Sequence, residues 1–376
     1  MRTSPQIRPD HLLNLVDDVG IVQHAYGVIP NRASGYCVDD VARLVIAALE
    51  LDRGVSQPAY RRMLSSAIAF LFHAWDREAS GMRNFMDYDR RWLDPPHTGD
   101  HVGRAAWALG AVIADESVRE EAGPSLSLLA EMQPCLERAD TPRQAAYAIL
   151  GLTRPEPKVL TDPLLNALDV LAERLAGWYD EHAVDGWQWF EPVLTYDNAR
   201  LPQALIAAGA RLGNDDHLQR GVTALDWYAE QCSVDGEVVR LVGNRWRHPG
   251  DDPNRDEGDE QPIDAAALAE AFVEASTWTG RAEYRRQAVH AFEWFLGRNS
   301  HRLPVYNFAT GGCHDGLGRD GLNENEGAES TLAFLQALLA LENVGLQGCA
   351  GLPPDPSEAS AQERSSGGRS PEPLRV

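Results

Sequence analysis

The chain has 376 residues, of which 44% are hydrophobic and 24% charged, and its formal net charge is -22. This composition is typical of a soluble globular protein with a large core, and the acidic balance argues against a nucleic-acid binder, which needs a basic face. No apolar stretch is long enough to span a bilayer, and the N-terminal sequence lacks the apolar core of a secretory signal. The five cysteines show no metal-site or disulfide spacing. We therefore expect a cytoplasmic protein with no membrane contact, no metal and no cofactor.

Helical periodicity dominates the chain. Apolar stripes at i, i+3, i+4 and i+7 spacing begin at Val41, Leu64, Leu164 and Tyr284. The pattern predicts roughly 11 or 12 helices joined by mostly short connections. Alternation of polar and apolar residues is rare, so strands should be short, with 238–242 as the best candidate.

Two kinds of helix alternate along the sequence. The segments 56–75, 214–230 and 281–297 are amphipathic, whereas AAWALGAVIA, LPQALIAAGA and STLAFLQALLAL are apolar nearly all round. A helix that is apolar on all sides is buried on all sides. We therefore predict an all-α fold, an (α/α)6 toroid in which an outer ring of helices wraps an inner ring. An irregular helical bundle and an α-solenoid are the alternatives.

The domain organisation follows from composition. Residues 1–348 are predicted to form the toroid domain, and the loop 248–261 is the best candidate for an internal boundary. The segment 349–376 is rich in Pro, Ser, Gly and Glu and nearly lacks large apolar residues. Such a segment buries too little surface to offset its ordering entropy, so we predict a disordered tail.

Dense polar and aromatic clusters precede the helices that are predicted to be buried. In a toroid the N-terminal ends of the inner helices share one mouth, so these clusters should converge on a single cleft. Each aspartate could instead be a helix N-cap, but five clusters in register favour a site. The predicted ligand-binding residues are His24, Tyr36, Asp39, Arg43, Asp100, His101, Trp187, Trp189, Tyr196, Asp197, Asn198, Gln261, Asp264, Asp315, Asn325 and Glu329.

The segment WQWFE, residues 187–191, indicates the ligand class. Aromatic faces stack on the apolar faces of sugar rings, and nearby carboxylates bind hydroxyls. Core tryptophans are the alternative interpretation, but a glycine precedes the segment, which favours a loop at a cleft. We therefore expect an oligo- or polysaccharide ligand.

Several motifs resemble a bacterial domain that occurs alone or attached to sugar-transferring glycosyltransferases of the GT-B type. The motifs are GYCVDDVAR, WFEPVLTYDNARLPQAL, DEQPIDA, AFEWFLGRN and NENEGAESTLAFLQALLAL, and the resemblance covers residues 17–345. It implies an (α/α)6 toroid related to six-hairpin glycosidases, a carbohydrate context and a glycosyltransferase as a partner.

A shorter similarity concerns the catalytic acid. The sequence FLGRN at 295–299, followed by NENE at 323–326, is similar to the end of family 9 glycoside hydrolases. In those enzymes a glutamate of an Asn-Glu pair is the general acid. The similarity implies that role for Glu324 or Glu326, and Glu326 is favoured because it abuts the buried helix.

The predicted function is cleavage of a glycosidic bond, as a hydrolase or a phosphorylase. Two carboxyl groups must flank the bond. Asp40, in a polar setting, is predicted as the base, and Glu191 or Glu326 as the acid. The alternatives are a non-catalytic carbohydrate-binding or accessory domain in glycan synthesis, and a sugar epimerase in which His24 and His101 carry the chemistry.

Overall fold

The computed structural model describes residues 8–54, 58–252 and 255–346. The tail predicted for 349–376 lies outside the described residues. Within them the chain forms twelve α-helices and four antiparallel pairs of two-residue strands. No described helix combines the length and the apolar character that a membrane crossing requires.

The helices form two concentric rings. The inner ring consists of Val38–Gly54 (α2), Asp100–Ala114 (α4), Pro142–Thr153 (α6), Arg200–Leu212 (α8), Pro262–Thr279 (α10) and Ala328–Asn343 (α12). The outer ring consists of Asp10–Leu15 (α1), Pro58–Ala74 (α3), Arg119–Leu136 (α5), Asp162–His182 (α7), Asp215–Gln231 (α9) and Ala282–Glu293 (α11).

Helix contacts close the inner ring. Each inner helix packs on the next one along the chain, and α12 returns to pack on α2. The outer helices α3, α5, α7, α9 and α11 each pack on the inner helix that precedes them, while α1 packs on α12. This is the predicted (α/α)6 toroid, which is therefore confirmed. A solenoid is excluded because its ends would not meet.

Two glycines allow the closest approach within the inner ring. A Cβ at Gly110 of α4 would lie 2.0 Å from the carbonyl oxygen of Gly151 in α6, and a Cβ at Gly151 would lie 2.3 Å from the carbonyl oxygen of Ala106. The two backbones therefore touch at a point where no other residue fits. This contact explains why each of these two helices has a glycine at that point.

The connections out of the inner helices are short, whereas most connections into them are long. The α8–α9 connection, for example, is only Gly213 and Asn214: Gly213 ends α8 in the left-handed conformation (φ 66°), and the Asn214 side chain accepts hydrogen bonds from the first turn of α9. The long connections 16–37, 75–99, 183–199, 232–261 and 294–327 all reach the same end of the ring. That end is where a site can be built.

The strands lie within these long connections. They are Ala25–Tyr26 (β1), Ile29–Pro30 (β2), Tyr36–Cys37 (β3), Trp75–Asp76 (β4), Gly81–Met82 (β5), Phe85–Met86 (β6), Leu317–Gly318 (β7) and Gly321–Leu322 (β8). The pairs are β1–β2, β3–β6, β4–β5 and β7–β8. The segment 238–242 forms no strand: the Val239 N–H donates to the Arg298 carbonyl and the Arg240 N–H to the Cys232 carbonyl, so the segment has no single partner strand. The prediction of a strand there is wrong.

Candidate functional site

A cavity of about 590 Å³ opens at the end of the ring where the long connections gather. It lies over the N-terminal ends of α2, α4 and α12 and beside the segments that enter α8 and α10. Its lining residues are Gln23, His24, Cys37, Asp39, Asp40, Arg43, Asn84, Phe85, His97, Gly99, Asp100, His101, Arg104, Tyr196, Gln261, Asp315, Glu329 and Ser330. We call it the first cavity.

The start of α2 places two consecutive aspartates in the first cavity. Strand β3 pairs with β6 directly before the helix, and this pairing fixes where the first turn begins. The Asp39 carboxylate accepts a hydrogen bond from the Asn84 amide at 3.0 Å and forms an ion pair with Arg104 at 3.0 Å. Acidic groups in the first turn also interact favourably with the positive end of the helix dipole.

Asp40 is the buried member of the pair. It is 5% exposed, its Oδ1 is 2.8 Å from a guanidinium nitrogen of Arg43, and its Oδ2 accepts from the Cys37 thiol at 3.2 Å. Burial raises the pKa of Asp40 to about 6, against the opposing effect of Arg43 and with help from the negative charge of Glu329. Asp40 can therefore hold a proton close to neutral pH.

Arg43 joins Asp40 to a second carboxylate. Its other terminal nitrogen lies 2.8 Å from Glu329, which is in the first turn of α12. The Glu329 side chain is 41% exposed, whereas that of Arg43 is 4% exposed. One buried guanidinium thus holds a buried carboxyl group and an open one on the same side of the first cavity.

Another part of the lining is formed by the start of α4, which packs on α2. Asp100 accepts hydrogen bonds from the hydroxyl of Tyr196 and, at 2.8 Å, from that of Thr141. The His101 ring bonds to the Met82 carbonyl at 3.0 Å and lies 4.4 Å, centroid to centroid, from the His97 ring. Burial lowers the pKa of His101, so this ring is neutral at neutral pH.

The α11–α12 connection supplies the third wall. Asp315 accepts from the backbone N–H of Gly327 at 2.9 Å and from the amide of Asn325, and His24 lies 3.9 Å away. Burial raises the pKa of Asp315. The Asn325 amide also lies 3.2 Å from the His24 ring, so it orients both groups without lining the cavity itself.

Beneath the cavity, buried charges fill the axis of the ring. Asp197 is fully buried and pairs with Arg104 at 3.1 Å and Arg200 at 3.3 Å, while Tyr147 donates a hydrogen bond to it. Burial disfavours its ionisation, but the two arginines and the tyrosine hold the pKa of Asp197 below its usual value. Since Arg104 also binds Asp39, this network supports the cavity floor.

Asp264 lies in the same axis, but its pKa is raised, whereas that of Asp197 is lowered. It is 1% exposed, and its Oδ1 accepts from the backbone and side-chain nitrogens of Asn198 at 3.2 and 3.3 Å. Burial and the negative charge of Asp197 raise the pKa of Asp264 to about 8. It is therefore a protonated structural group at neutral pH.

The sequence-predicted residues divide into two groups. Ten line the first cavity: His24, Asp39, Asp40, Arg43, Asp100, His101, Tyr196, Gln261, Asp315 and Glu329. Nine lie outside its lining: Tyr36, Trp187, Trp189, Glu191, Asp197, Asn198, Asp264, Asn325 and Glu326. Among these nine, Tyr36, Trp189, Asp197, Asn198 and Asp264 are at most 1% exposed. These five side chains do not reach the lining of the first cavity, and their contact with a ligand stays a prediction.

The two carboxylates predicted as the acid also lie elsewhere. Glu191 pairs with Arg143 at 2.7 Å, and that guanidinium is held in turn by the Tyr196 carbonyl at 2.6 Å. Glu326 is buried behind the cavity wall, where Asn307 and Thr310 donate to it at 2.7 and 2.9 Å. Both are engaged in bonds that hold loops together rather than facing the open space.

The aromatic segment belongs mainly to the core. The Trp189 ring is fully buried against Phe190, Trp227 and Tyr228, with ring centroids 5.1–5.8 Å apart. Trp187 is 6% exposed and lines a different cavity. The aromatic platform expected in the cleft is therefore absent from the first cavity, where Phe85 and Tyr196 are the aromatic lining residues other than histidine.

Sequence reasoning missed eight lining residues, among them Asn84, Phe85, His97 and Arg104. His97 and Arg104 flank Asp100 and His101 within the motif HTGDHVGR, and Arg104 is one helical turn after Asp100, so the helical period alone could have found it. Asn84 and Phe85 come from an irregular connection without a distinctive pattern. Among the described residues no group of three His, Cys, Asp or Glu side chains could hold a metal ion.

Of the comparisons with known proteins, the one with solved structures gives matches. No family model matches the sequence, and a search of curated proteins finds no match. Among solved structures, a sugar epimerase from a ruminal bacterium matches with a TM-score of 0.67 at 11% identity, over 90% of this chain and 95% of that chain. The cellobiose 2-epimerase from Spirochaeta thermophila matches with a TM-score of 0.65 at 14% identity, over 90% and 95%.

A third similar structure is a mannanase complex. It is an inactive variant of an alpha-1,6-mannanase from a Salegentibacter species, with two consecutive aspartates replaced by alanine, in complex with alpha-1,6-mannotetrose. It matches with a TM-score of 0.55 at 9% identity, over 88% of this chain and 95% of that chain. At these identities the likeness shows a shared fold, that of the six-hairpin glycosidases.

Proposed function

We propose that the protein is a carbohydrate-active enzyme that cleaves a glycosidic bond of an oligo- or polysaccharide in the first cavity. The observation that carries this proposal is the pair Asp40 and Glu329, each bound at 2.8 Å to a different nitrogen of Arg43. The two carboxyl oxygens that contact Arg43 can be no farther apart than the distance between its two terminal nitrogens plus two hydrogen bonds of 2.8 Å. Glycosidases place their two carboxyl groups about 5–9.5 Å apart, and the fork of Arg43 brings this pair within that reach.

The environments of the two carboxyl groups suit different roles. Asp40, with its pKa raised to about 6 by burial, is the general acid that protonates the departing glycosidic oxygen. Glu329 is the more open group and takes the proton of the water that attacks the sugar carbon. In phosphorolysis a phosphate oxygen replaces this water. This assignment reverses the role predicted for Asp40 and replaces Glu191 and Glu326.

The structural neighbours support a carbohydrate substrate. The mannanase variant is described as inactive after two consecutive aspartates were replaced, and it holds an oligosaccharide. This chain also presents two consecutive aspartates, Asp39 and Asp40, to its cavity. The parallel favours chemistry at the start of α2.

The test is product analysis on a panel of oligosaccharides, with and without phosphate. We expect new reducing ends or sugar phosphates from the wild-type protein, and a loss of about 10²–10⁴-fold for Asp40→Asn and Glu329→Gln. Asp180→Asn is the matched control, because Asp180 pairs with Arg220 on the outer ring, with a side chain 55% exposed. Full turnover by Asp40→Asn, or an equal loss in the control, would refute the assignment.

Epimerisation is the second candidate, favoured by the three histidines of the cavity. His24, His97 and His101 all line it, and the neutral His101 ring could accept a proton from a sugar carbon. The structures named as epimerases also match with the higher TM-scores, 0.67 and 0.65. NMR of a reducing disaccharide in D₂O separates the candidates: an epimerase exchanges the C2 hydrogen without cleavage, and His101→Ala abolishes the exchange.

A non-catalytic role beside a glycosyltransferase is the remaining alternative, and its support is the motif resemblance. Glycan binding without turnover of any kind, together with co-purification with such an enzyme, would favour it. A cytoplasmic location is likewise proposed. It is supported by Cys37, Cys135, Cys232 and Cys313, which are all buried and unpaired, as expected in a reducing compartment.

A further inference from the structure

A second cavity, of about 580 Å³, opens at the same end of the ring. Its walls come from residues 184–187 between α7 and α8, from 227–252 and 255–260 at the end of α9 and in the connection to α10, and from 300–301 and 317–319 between α11 and α12. All three connections lead into the N-terminal ends of inner helices, as do those around the first cavity. The two openings therefore face the same side of the molecule.

One backbone pairing separates the two cavities. Glu260 lines the second cavity, and the next residue, Gln261, lines the first. Glu260 and Leu317 exchange backbone hydrogen bonds of 3.0 and 2.9 Å, while Asp315, two residues before Leu317, lines the first cavity. The wall between the cavities is thus only these two extended segments.

The second cavity has an aromatic side. The rings of Trp187 and Trp227 meet edge to face at 5.0 Å. The Trp187 indole nitrogen donates to the Glu191 carbonyl at 2.8 Å, which fixes the ring orientation. Because the two rings are steeply inclined and Trp187 is 6% exposed, the half-buried Trp227 ring, held in place by Trp187, is the apolar surface that the C–H face of a pyranose can contact. Trp187 is the residue of the predicted aromatic segment 187–191 that lines this cavity.

The remaining walls supply unused hydrogen-bond donors. Arg247 and Arg255 pair with carboxylates of the same lining. The exposed guanidinium groups of Arg240 and Arg319 form no hydrogen bond or ion pair within the described part of the chain. Free donors in the same lining as an aromatic ring fit the hydroxyl groups of a sugar, and carboxylates such as Glu230 provide acceptors.

We propose that the second cavity is a subsite for a further pyranose unit of the same glycan that is cleaved in the first cavity. This inference rests on the proposed function and sharpens it: the substrate is an oligo- or polysaccharide long enough to cross the wall at Gln261, and a disaccharide is a poor substrate. Binding of remote units then contributes to positioning the bond beside Asp40.

The test compares chain lengths and variants. Binding and turnover are measured with α-1,6-manno-oligosaccharides and cello-oligosaccharides, from the disaccharide to the hexasaccharide. For a series that binds, Trp227→Ala is expected to weaken binding of the long members about tenfold, which corresponds to the loss of one aromatic contact, and to leave the disaccharide unchanged. Arg319→Ala, at an exposed position that does not support the fold, should show the same selectivity.

The control is Trp278→Ala, since Trp278 is 46% exposed near the C-terminal end of α10, at the other end of the ring. Equal affinity of both second-cavity variants for long and short glycans, with turnover intact, overturns the subsite and leaves the proposed function standing. Length-dependent binding together with full turnover by Asp40→Asn retains the subsite and overturns the proposed catalysis. If no member of either series binds, the subsite proposal is wrong.

Discussion

The charge network in the ring axis predicts a large effect for Asp197→Asn. Asp197 is fully buried and adopts a left-handed backbone conformation (φ 48°). Asparagine tolerates that conformation well, so the substitution removes the charge and leaves the backbone intact. Arg104 and Arg200, which are buried beside Asp197, each lose an ion pair with it.

The expected magnitude follows from the partners that remain. Breaking a buried ion pair by removing one member typically costs about 3–5 kcal/mol, because the other charge stays buried. Arg104 keeps Asp39 at 3.0 Å and Arg200 keeps Glu270 at 2.8 Å, which places the expected loss at the lower end, about 3 kcal/mol. Urea unfolding followed by tryptophan fluorescence at neutral pH measures the free energy of unfolding.

The pH dependence provides an independent check. Because the arginines hold the pKa of Asp197 below its ordinary value of 3.8, its stabilising contribution is present above that value and is lost as the pH falls through the lower folded-state pKa. The difference between wild type and variant should therefore shrink in acid. Asp226→Asn on the outer ring, where the side chain is 49% exposed, should cost no more than about 1 kcal/mol. Equal losses in both variants would refute the reasoning.

Three further predictions concern particular residues. Asp264→Asn should gain stability relative to wild type as the pH rises from 3.8 to about 8. The reason is that Asp264, with its raised pKa, stabilises the folded state only while it is protonated. A constant difference in the free energy of unfolding across that range, measured by urea unfolding, would contradict this. Gly110→Ala should lower the melting temperature strongly, because its Cβ would lie 2.0 Å from the Gly151 oxygen. Gly123→Ala should not, because a Cβ there has no other atom within 4 Å. Equal melting temperatures of the two variants would contradict the close helix contact. Glu326→Gln should keep turnover within a few fold, because Glu326 lies behind the cavity wall; a loss matching that of Asp40→Asn would restore it as the acid.

The fold could be predicted from the sequence because the spacing of apolar residues indicates which faces of each helix are buried. Helices such as α8 and α12 are apolar nearly all round, and both lie in the inner ring. The amphipathic segments 56–75 and 214–230 became outer helices for the same reason. The position of the site could be predicted in part, because a polar cluster that precedes an inner helix lies at the mouth of the ring, as Asp39 and Asp40 do.

The remaining features depend on tertiary partners that a local pattern does not contain. Trp189 follows a glycine in a polar segment, yet its ring is buried because Trp227 and Tyr228 of α9 pack on it. Glu326 follows an Asn in a motif similar to that of glycosidases, but Thr310 and its neighbours enclose it. The pKa of Asp40 is raised by its burial and, to a lesser degree, by the charge of Glu329, which is distant in sequence and comes near only because α12 packs on α2.

The central claim is that Asp40 donates the proton to the departing sugar oxygen. The most direct measurement compares kcat/KM of Asp40→Asn on an unactivated oligosaccharide and on its aryl glycoside, whose phenolate leaves without protonation. We expect a loss of about 10²–10⁴-fold on the oligosaccharide and near wild-type cleavage of the aryl glycoside. An equal loss on both substrates would contradict it, because a residue needed irrespective of the leaving group is not the acid.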